Sequence, residues 1–319
     1  MKNVYLFILP LIFIFYGCEN QPINTIPTEV KPVKIMDLSS YSDARPDREF
    51  NILFLYHSCG GHWMADKGPA KGEHCINETH PNGGGLRKLL EQNNYKVHEA
   101  SYGSIVGDKT DIEDWPGKFR DQMDRILKTD MQDQIYTDGS VNNIVMFKSC
   151  YPNNNFEPDG SKKGRTVQSA MEAYNSLLPY FREHPDTLFI AITAPPLANP
   201  LETSNSLKVF IKKMLGRYKN LQTSGICARR FNNWLKDSEN GWLSKYDLHN
   251  VVVFDLYDIL TKDGQSNWAG YPTQNGTNSH PSSEGNSAAA ERFVPFLNKA
   301  VRRAGLVADA SYQQLNKSK

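Results

Sequence analysis

"NILFLYHSCGGHW" (51–63) begins as an apolar run and ends in residues with chemical capability: His57, Ser58, Cys59, a glycine pair and His62 come after it without a break. An apolar run that is continuous rather than alternating suits a strand buried on both faces. The residues after the run have three readings. Ser58 is a nucleophilic hydroxyl, or His57, Cys59 and His62 are metal ligands, or the stretch is a polar turn after a strand.

Four more runs of this kind recur along the chain: "YKVHEA" (95–100), "NIVMFK" (143–148), "TLFIAIT" (187–193) and "NVVVFDL" (250–256). Helical spacing falls between and after them, near 84–93, 115–128, 164–184, 227–237 and 286–305, with Pro295 as an expected kink. Strands alternating with helices predict an α/β fold. It is a single doubly wound domain with a five-stranded parallel sheet between two helical layers. Ligands of such sheets bind at the carboxyl ends of the strands. That edge receives Ser58 after the first strand, Gly103 after the second, the Asn153 region after the third and His280 before the last helix.

Composition agrees with a globular domain: 319 residues, 39% hydrophobic and 22% charged, with a net charge of +1. Lys and Arg are mixed among Asp and Glu with no basic stripe, which argues against nucleic acid as a partner. The amino terminus, "MKNVYLFILPLIFIFYGCEN", has a Lys, a short apolar stretch broken by Pro10, and Gly17-Cys18. It reads as a signal peptide over 1–17 that resembles a bacterial lipoprotein signal, with Cys18 as the lipidated residue. The expected organisation is a tether over 18–48, polar and proline-rich, then a domain over 49–307 and a flexible tail over 308–319. This predicts a lipid-anchored protein of the bacterial cell envelope, periplasmic or surface-facing, with the membrane as a partner. In an oxidising compartment Cys59, Cys75, Cys150 and Cys227 are free to pair. Cys59 and Cys150 come after strands expected to be neighbours and are the favoured pair, with Cys75 competing.

The blocks after the strands resemble those of the SGNH, or GDSL-like, hydrolase superfamily. Ser58 matches the nucleophile block, although His-Ser-Cys-Gly replaces Gly-Asp-Ser. Gly103 matches the glycine block and Asn153 the asparagine block. "SHPSSEGNSAAAERF" (279–293) matches the histidine block. The resemblance covers 51–305. It implies a flavodoxin-like three-layer sandwich and a serine esterase acting without a cofactor. Ser58 is then the nucleophile and His280 the base, and Ser58, Gly103 and Asn153 form the oxyanion hole. Where the family places an Asp, this chain has Thr277, so Asp255, Asp258, Asp263 and Glu284 are the candidate acids, and a Ser-His dyad with the imidazole oriented by a backbone carbonyl is the alternative. The implied substrate is an ester, most simply O-acetyl, on a carbohydrate or cell-wall glycan. Loop aromatics (Trp63, Trp115, Tyr151, Trp268, Tyr271) offer stacking surfaces for sugars, and Arg165, Arg229 and Arg230 offer charge for an acidic one. Two alternatives stay open: a non-catalytic glycan-binding lipoprotein on the same scaffold, and a metal-dependent hydrolase built on the His/Cys cluster of 57–80.

Overall fold

The strand that the opening stretch predicts is β1 (Phe50–Leu55), buried at every residue but Asn51. Its Ile52 and Phe54 enter the apolar cluster on one face of the sheet, and its Leu53 and Leu55 the cluster on the other. Both faces must therefore be apolar, which is why the run does not alternate. β2 (Tyr95–Ala100), β3 (Ile144–Lys148), β4 (Leu188–Ile192) and β5 (Val251–Phe254) complete the parallel set. They stand in the order β2-β1-β3-β4-β5 and every pairing among them is parallel. This is the flavodoxin-like order, and the winding reverses between β1 and β3. The register there sets Leu55 opposite Phe147, so the segments leaving both strands emerge side by side.

The structure is a computed structural model that describes residues 33–200 and 217–307. The expected signal peptide, Cys18 and the tail over 308–319 lie outside the described residues. Among the described residues no helix is long and apolar enough to cross a membrane. The helices α1 (Cys59–Met64), α2 (Leu86–Gln92), α3 (Trp115–Lys128), α4 (Val167–Asn175), α5 (Leu178–Arg182), α6 (Arg217–Lys236), α7 (Leu256–Leu260) and α8 (Ser283–Arg303) form the outer layers. Trp63 of α1, Leu90 of α2 and Phe293 of α8 cover one face. Phe119 of α3, Tyr174 of α4, Phe181 of α5 and Phe231 of α6 cover the other.

Four features depart from expectation. Short strands at Thr129–Met131 and Gln134–Ile135 extend the sheet beyond β2, giving seven strands with the outermost pair antiparallel. The helix expected over 164–184 is two helices, because Pro179 belongs in a first turn and starts α5. A three-stranded sheet (Asp66–Lys67, Lys71–Glu73, Ile76–His80) is inserted between α1 and α2. Finally, the expected tether is attached to the domain from residue 33 onward. Lys34 pairs with Glu239, Asn298 donates to the Asp43 carbonyl at 2.8 Å, and Arg302 donates to the Ala44 carbonyl at 2.8 Å.

Phe119 is central to one layer, edge-on to Phe147, Phe181 and Phe189 at centroid distances of 5.0, 4.8 and 6.1 Å. Phe119→Ala should lower unfolding stability by about 3–5 kcal/mol in a denaturant titration, because the tight ring cluster leaves a cavity. Ile35→Ala, at a side chain 63% exposed, should change it by less than about 0.5 kcal/mol.

Candidate active site

Ser58 is the first residue beyond the β1 edge to carry unusual backbone geometry, with φ 24° and ψ −77° immediately before α1. A β-carbon in that region is strained, and such strain is held only where the surroundings fix it. Gly60 and Gly61 lie inside α1. A β-carbon on Gly60 would sit 2.4 Å from the Tyr56 ring, and one on Gly61 1.8 Å from the Cys75 carbonyl oxygen. The pair lets α1 approach β1 and the inserted sheet closely.

Ser58 Oγ lies 3.1 Å from Cys150 Sγ, and Cys150 Sγ lies 3.4 Å from Cys59 Sγ. Cys59 and Cys150 are thus brought together, as neighbouring strands require, but both are free thiols and no bridge joins them. Behind them stands Lys148, fully buried, whose ammonium donates to the Ser149 carbonyl at 3.3 Å. The Cys59 thiol, the Lys148 charge, the Ser58 hydroxyl and the Cys59 amide hold the Cys150 thiol well below its usual range, against the opposing effect of burial. Burial pushes the Cys59 thiol up. One sulfur of the pair is therefore suited to be a thiolate and the other a thiol.

His280 sits on a short strand, Asn278–Pro281, paired with Pro272–Thr273. Its Nδ1 donates to Asn278 Oδ1 at 2.7 Å, and its main-chain N–H donates to the same atom at 3.0 Å. Two donors on one atom identify that atom as the amide oxygen, so Nδ1 carries the hydrogen and Nε2 keeps its lone pair. Thr277 turns away and donates to the Gln274 carbonyl at 2.8 Å. The candidate aspartates are engaged elsewhere. Asp255 pairs with Lys236 at 2.6 Å and accepts from the Asp258 amide as the cap of α7, Asp258 pairs with Arg229 and Lys236, and Asp263 pairs with Arg292. The orienting group is Asn278, which sequence comparison with a family pattern passes over because it stands two residues before the ring. The signal for it is that Asn side chains readily bond backbone two residues on.

Burial lowers the basicity of His280 and keeps the ring neutral. His62 stacks on His80 at 3.7 Å and lies 5.1 Å from His280 between centroids. Burial, and then the neighbouring rings, push the His62 value down to about 3. His62 Nδ1 is buried without a hydrogen-bond partner. His57 is bonded through Nε2 to the Gly107 carbonyl at 2.9 Å and stacks on Tyr102, which fixes the loop after β2. Tyr151 stands edge-on to His280 at 5.0 Å. Ser58 lies 3.1 Å from Cys150 Sγ, the charge of Cys150 acts on His280, and no hydrogen bond joins Ser58 to His280 among the described residues.

The expected oxyanion donors are differently employed. The Gly103 amide donates to Asp108 at 2.8 Å. Asn153 donates to Asp111 at 2.7 Å and accepts from the Ile112 amide at 2.9 Å, bracing two loops. The Ser58 amide is directed at the Cys75 sulfur and the Cys59 amide at the Cys150 sulfur. Arg165, Arg229 and Arg230 are paired with Glu113, Asp258 and Asp159. Trp63 and Trp115 are buried in the two cores, Trp268 and Tyr271 are half-buried, and Tyr151 is the member of this set whose ring packs on His280 among the described residues. Among the described residues no three His, Cys, Asp or Glu side chains are arranged to hold a metal ion, so the cluster of 57–80 gives the metal reading no support.

No family model matches the chain, and no curated protein matches it. Solved structures do. A family 2 carbohydrate esterase from Corynascus (Myceliophthora fergusii) is 13% identical, with 80% of this chain and 67% of that chain covered and a TM-score of 0.38. A lipolytic protein of the G-D-S-L family from Veillonella parvula is 11% identical over 76% of this chain and 94% of that chain, at a TM-score of 0.39. An acetyl-xylooligosaccharide esterase from Geobacillus is 12% identical over 82% and 96%, at 0.38.

The depressed His62 value carries a stability consequence. The unfolded chain takes up the proton near pH 6.5 and the folded chain only near about 3. Folding stability should therefore be lost as pH falls from 6.5 toward 3. Denaturant midpoints at pH 7 and pH 5 should differ less in His62→Gln than in the parent chain.

Proposed function

We propose that the chain is a serine esterase of the SGNH type, acting on an ester of a carbohydrate or cell-wall glycan, most simply an O-acetyl group. The observation that carries this reading is the His280–Asn278 bond. It leaves a neutral imidazole with Nε2 free as a base, at the strand edge that also bears Ser58 on strained backbone. Ser58 Oγ attacks the ester carbonyl, His280 takes its proton and returns it to the leaving alcohol, and water then releases the acid from the acyl-enzyme. The amide of Ser58 suits the oxyanion, since the Cys75 thiol that it faces is a weak acceptor to exchange for a developing negative charge, and the Cys59 amide joins it when Cys150 is uncharged. Placement at the bacterial envelope through lipid on Cys18 is part of the same proposal, motivated by the amino-terminal sequence.

Ser58→Ala should abolish release of acetate from 4-nitrophenyl acetate and from an acetylated oligosaccharide, a loss of about 10³-fold or more. Equal activity in the variant would remove the reading. The alternative, a glycan-binding protein without turnover, is favoured by one observation, the hold that Cys150 has on the Ser58 hydroxyl. It predicts no acetate release by the parent chain with oligosaccharide binding retained in calorimetry.

Asn278 acts through His280 as a positioning residue. Asn278→Ala should lower kcat about 10–100-fold with little change in KM. Asn278→Asp should restore activity. It should also move the acid limb of kcat/KM to higher pH, because a carboxylate beside the ring favours imidazolium. In the parent chain that limb should lie below pH 6.5, since burial lowers His280 from that value.

A further inference from the structure

We infer that Cys59 and Cys150 form a reversible disulfide that switches Ser58 on: the reduced pair holds the Ser58 hydroxyl away from His280, and oxidation releases it. This deepens the esterase reading and rests on it. Three groups converge on one sulfur. Cys150 Sγ lies 3.1 Å from the Ser58 hydroxyl and 3.4 Å from the Cys59 sulfur, with the Cys59 amide directed at it, and all three donate to it when Cys150 is the thiolate of the pair. Lys148, fully buried beneath, adds its charge. A thiolate in that position is a charged acceptor, stronger for a hydroxyl than a neutral imidazole is. The same sulfur competes for the Cys59 amide that a developing oxyanion needs.

The chemistry balances with a small disulfide as oxidant. The Cys150 thiolate attacks one sulfur of that disulfide and expels one thiolate. Cys59 then gives its proton to solvent, and its sulfur attacks Cys150 in the mixed disulfide and expels the second thiolate. Two electrons pass to the oxidant, and one proton is released. The protein gains an S–S bond and Cys150 loses its charge, and with it its hold on Ser58 and on the Cys59 amide. Access is past Ser58 and Tyr151, both partly exposed. Exported proteins meet oxidising conditions, so the switch would set the enzyme silent before export and active after it.

The test uses the purified chain after dithiothreitol and after bis(2-hydroxyethyl) disulfide. Intact mass should fall by two hydrogens on oxidation, and peptide mapping should place the bond between Cys59 and Cys150, in Cys75→Ala as in the parent. Labelling of Ser58 by a fluorophosphonate should then be at least roughly tenfold faster in the oxidised form, the gain expected when one hydrogen bond to a charged group is removed. Cys150→Ala, which removes the sulfur that holds Ser58, should label at one rate under both conditions. Absence of the bond, or a bond that leaves labelling unchanged or slows it, overturns the switch, as does a rate rise that persists in Cys150→Ala. Faster labelling without hydrolysis of acetyl esters leaves the switch standing and removes the esterase reading instead.

Discussion

The pairing of β1 with β3 is the constraint on which the rest of the site depends. Parallel strands in register deliver their carboxyl ends at one level, and Leu55 stands opposite Phe147. A few residues on, Ser58 and Cys59 leave one strand and Cys150 leaves the other, which places three reactive side chains within hydrogen-bonding distance. The winding reverses at this junction, so no crossover covers it. A one-residue slip would turn Ile52 and Phe54 to the face now filled by Leu53 and Leu55 and would break both cores. The apolar packing of the sheet therefore fixes the position of Ser58 as firmly as any contact that Ser58 itself makes.

The remaining parts arrive from outside the sheet. The inserted strands between α1 and α2 bring Cys75 and His80 back over α1, and Gly61 is the point of closest approach. Gly61→Ala would force a β-carbon into main chain, not into a flexible side chain. The insertion accounts for the density of histidine and cysteine over 57–80. His57 braces a loop, His62 and His80 stack beside His280, and Cys75 faces the Ser58 amide.

The five parallel strands and the helices between them are legible in the sequence because burial on both faces leaves an unmistakable continuous pattern, as in "NILFLY" and "NVVVFDL". The short strands at 129–135, 66–80 and 272–281 carry no such pattern, being two to five residues long and largely exposed or half-buried. The approach of Ser58 and Cys59 to Cys150 stems from strand order and is legible too. The fate of individual polar atoms lies beyond reach. Asn153 and Gly103 match a family's blocks in position, yet Asp111 and Asp108 take their hydrogens. Asp255, Asp258 and Asp263 are close to His280 in sequence, but Lys236, Arg229 and Arg292 claim them. Such claims are settled by side chains distant in sequence.

An amide behind His280 changes the electrostatics of the whole edge. A carboxylate there would stabilise the imidazolium formed when the proton of Ser58 is taken. Asn278 supplies orientation without charge, and burial already disfavours the charged ring. Lys148 adds a positive charge to the same neighbourhood, which also disfavours imidazolium. An anion at Cys150 would offset both, since its charge raises the basicity of His280. Its presence helps the ring and hinders the hydroxyl. The two effects differ in range. The hold on Ser58 is a direct bond at 3.1 Å that must break before attack, whereas the influence on His280 is a field that the Asn278 bond partly replaces. In the proposed mechanism, removing the thiolate charge costs the base some strength and gives the nucleophile its freedom. The neutral Asn278 then belongs with the cysteine pair: with the ring oriented by an uncharged group, the charge state of Cys150 would decide whether Ser58 is available.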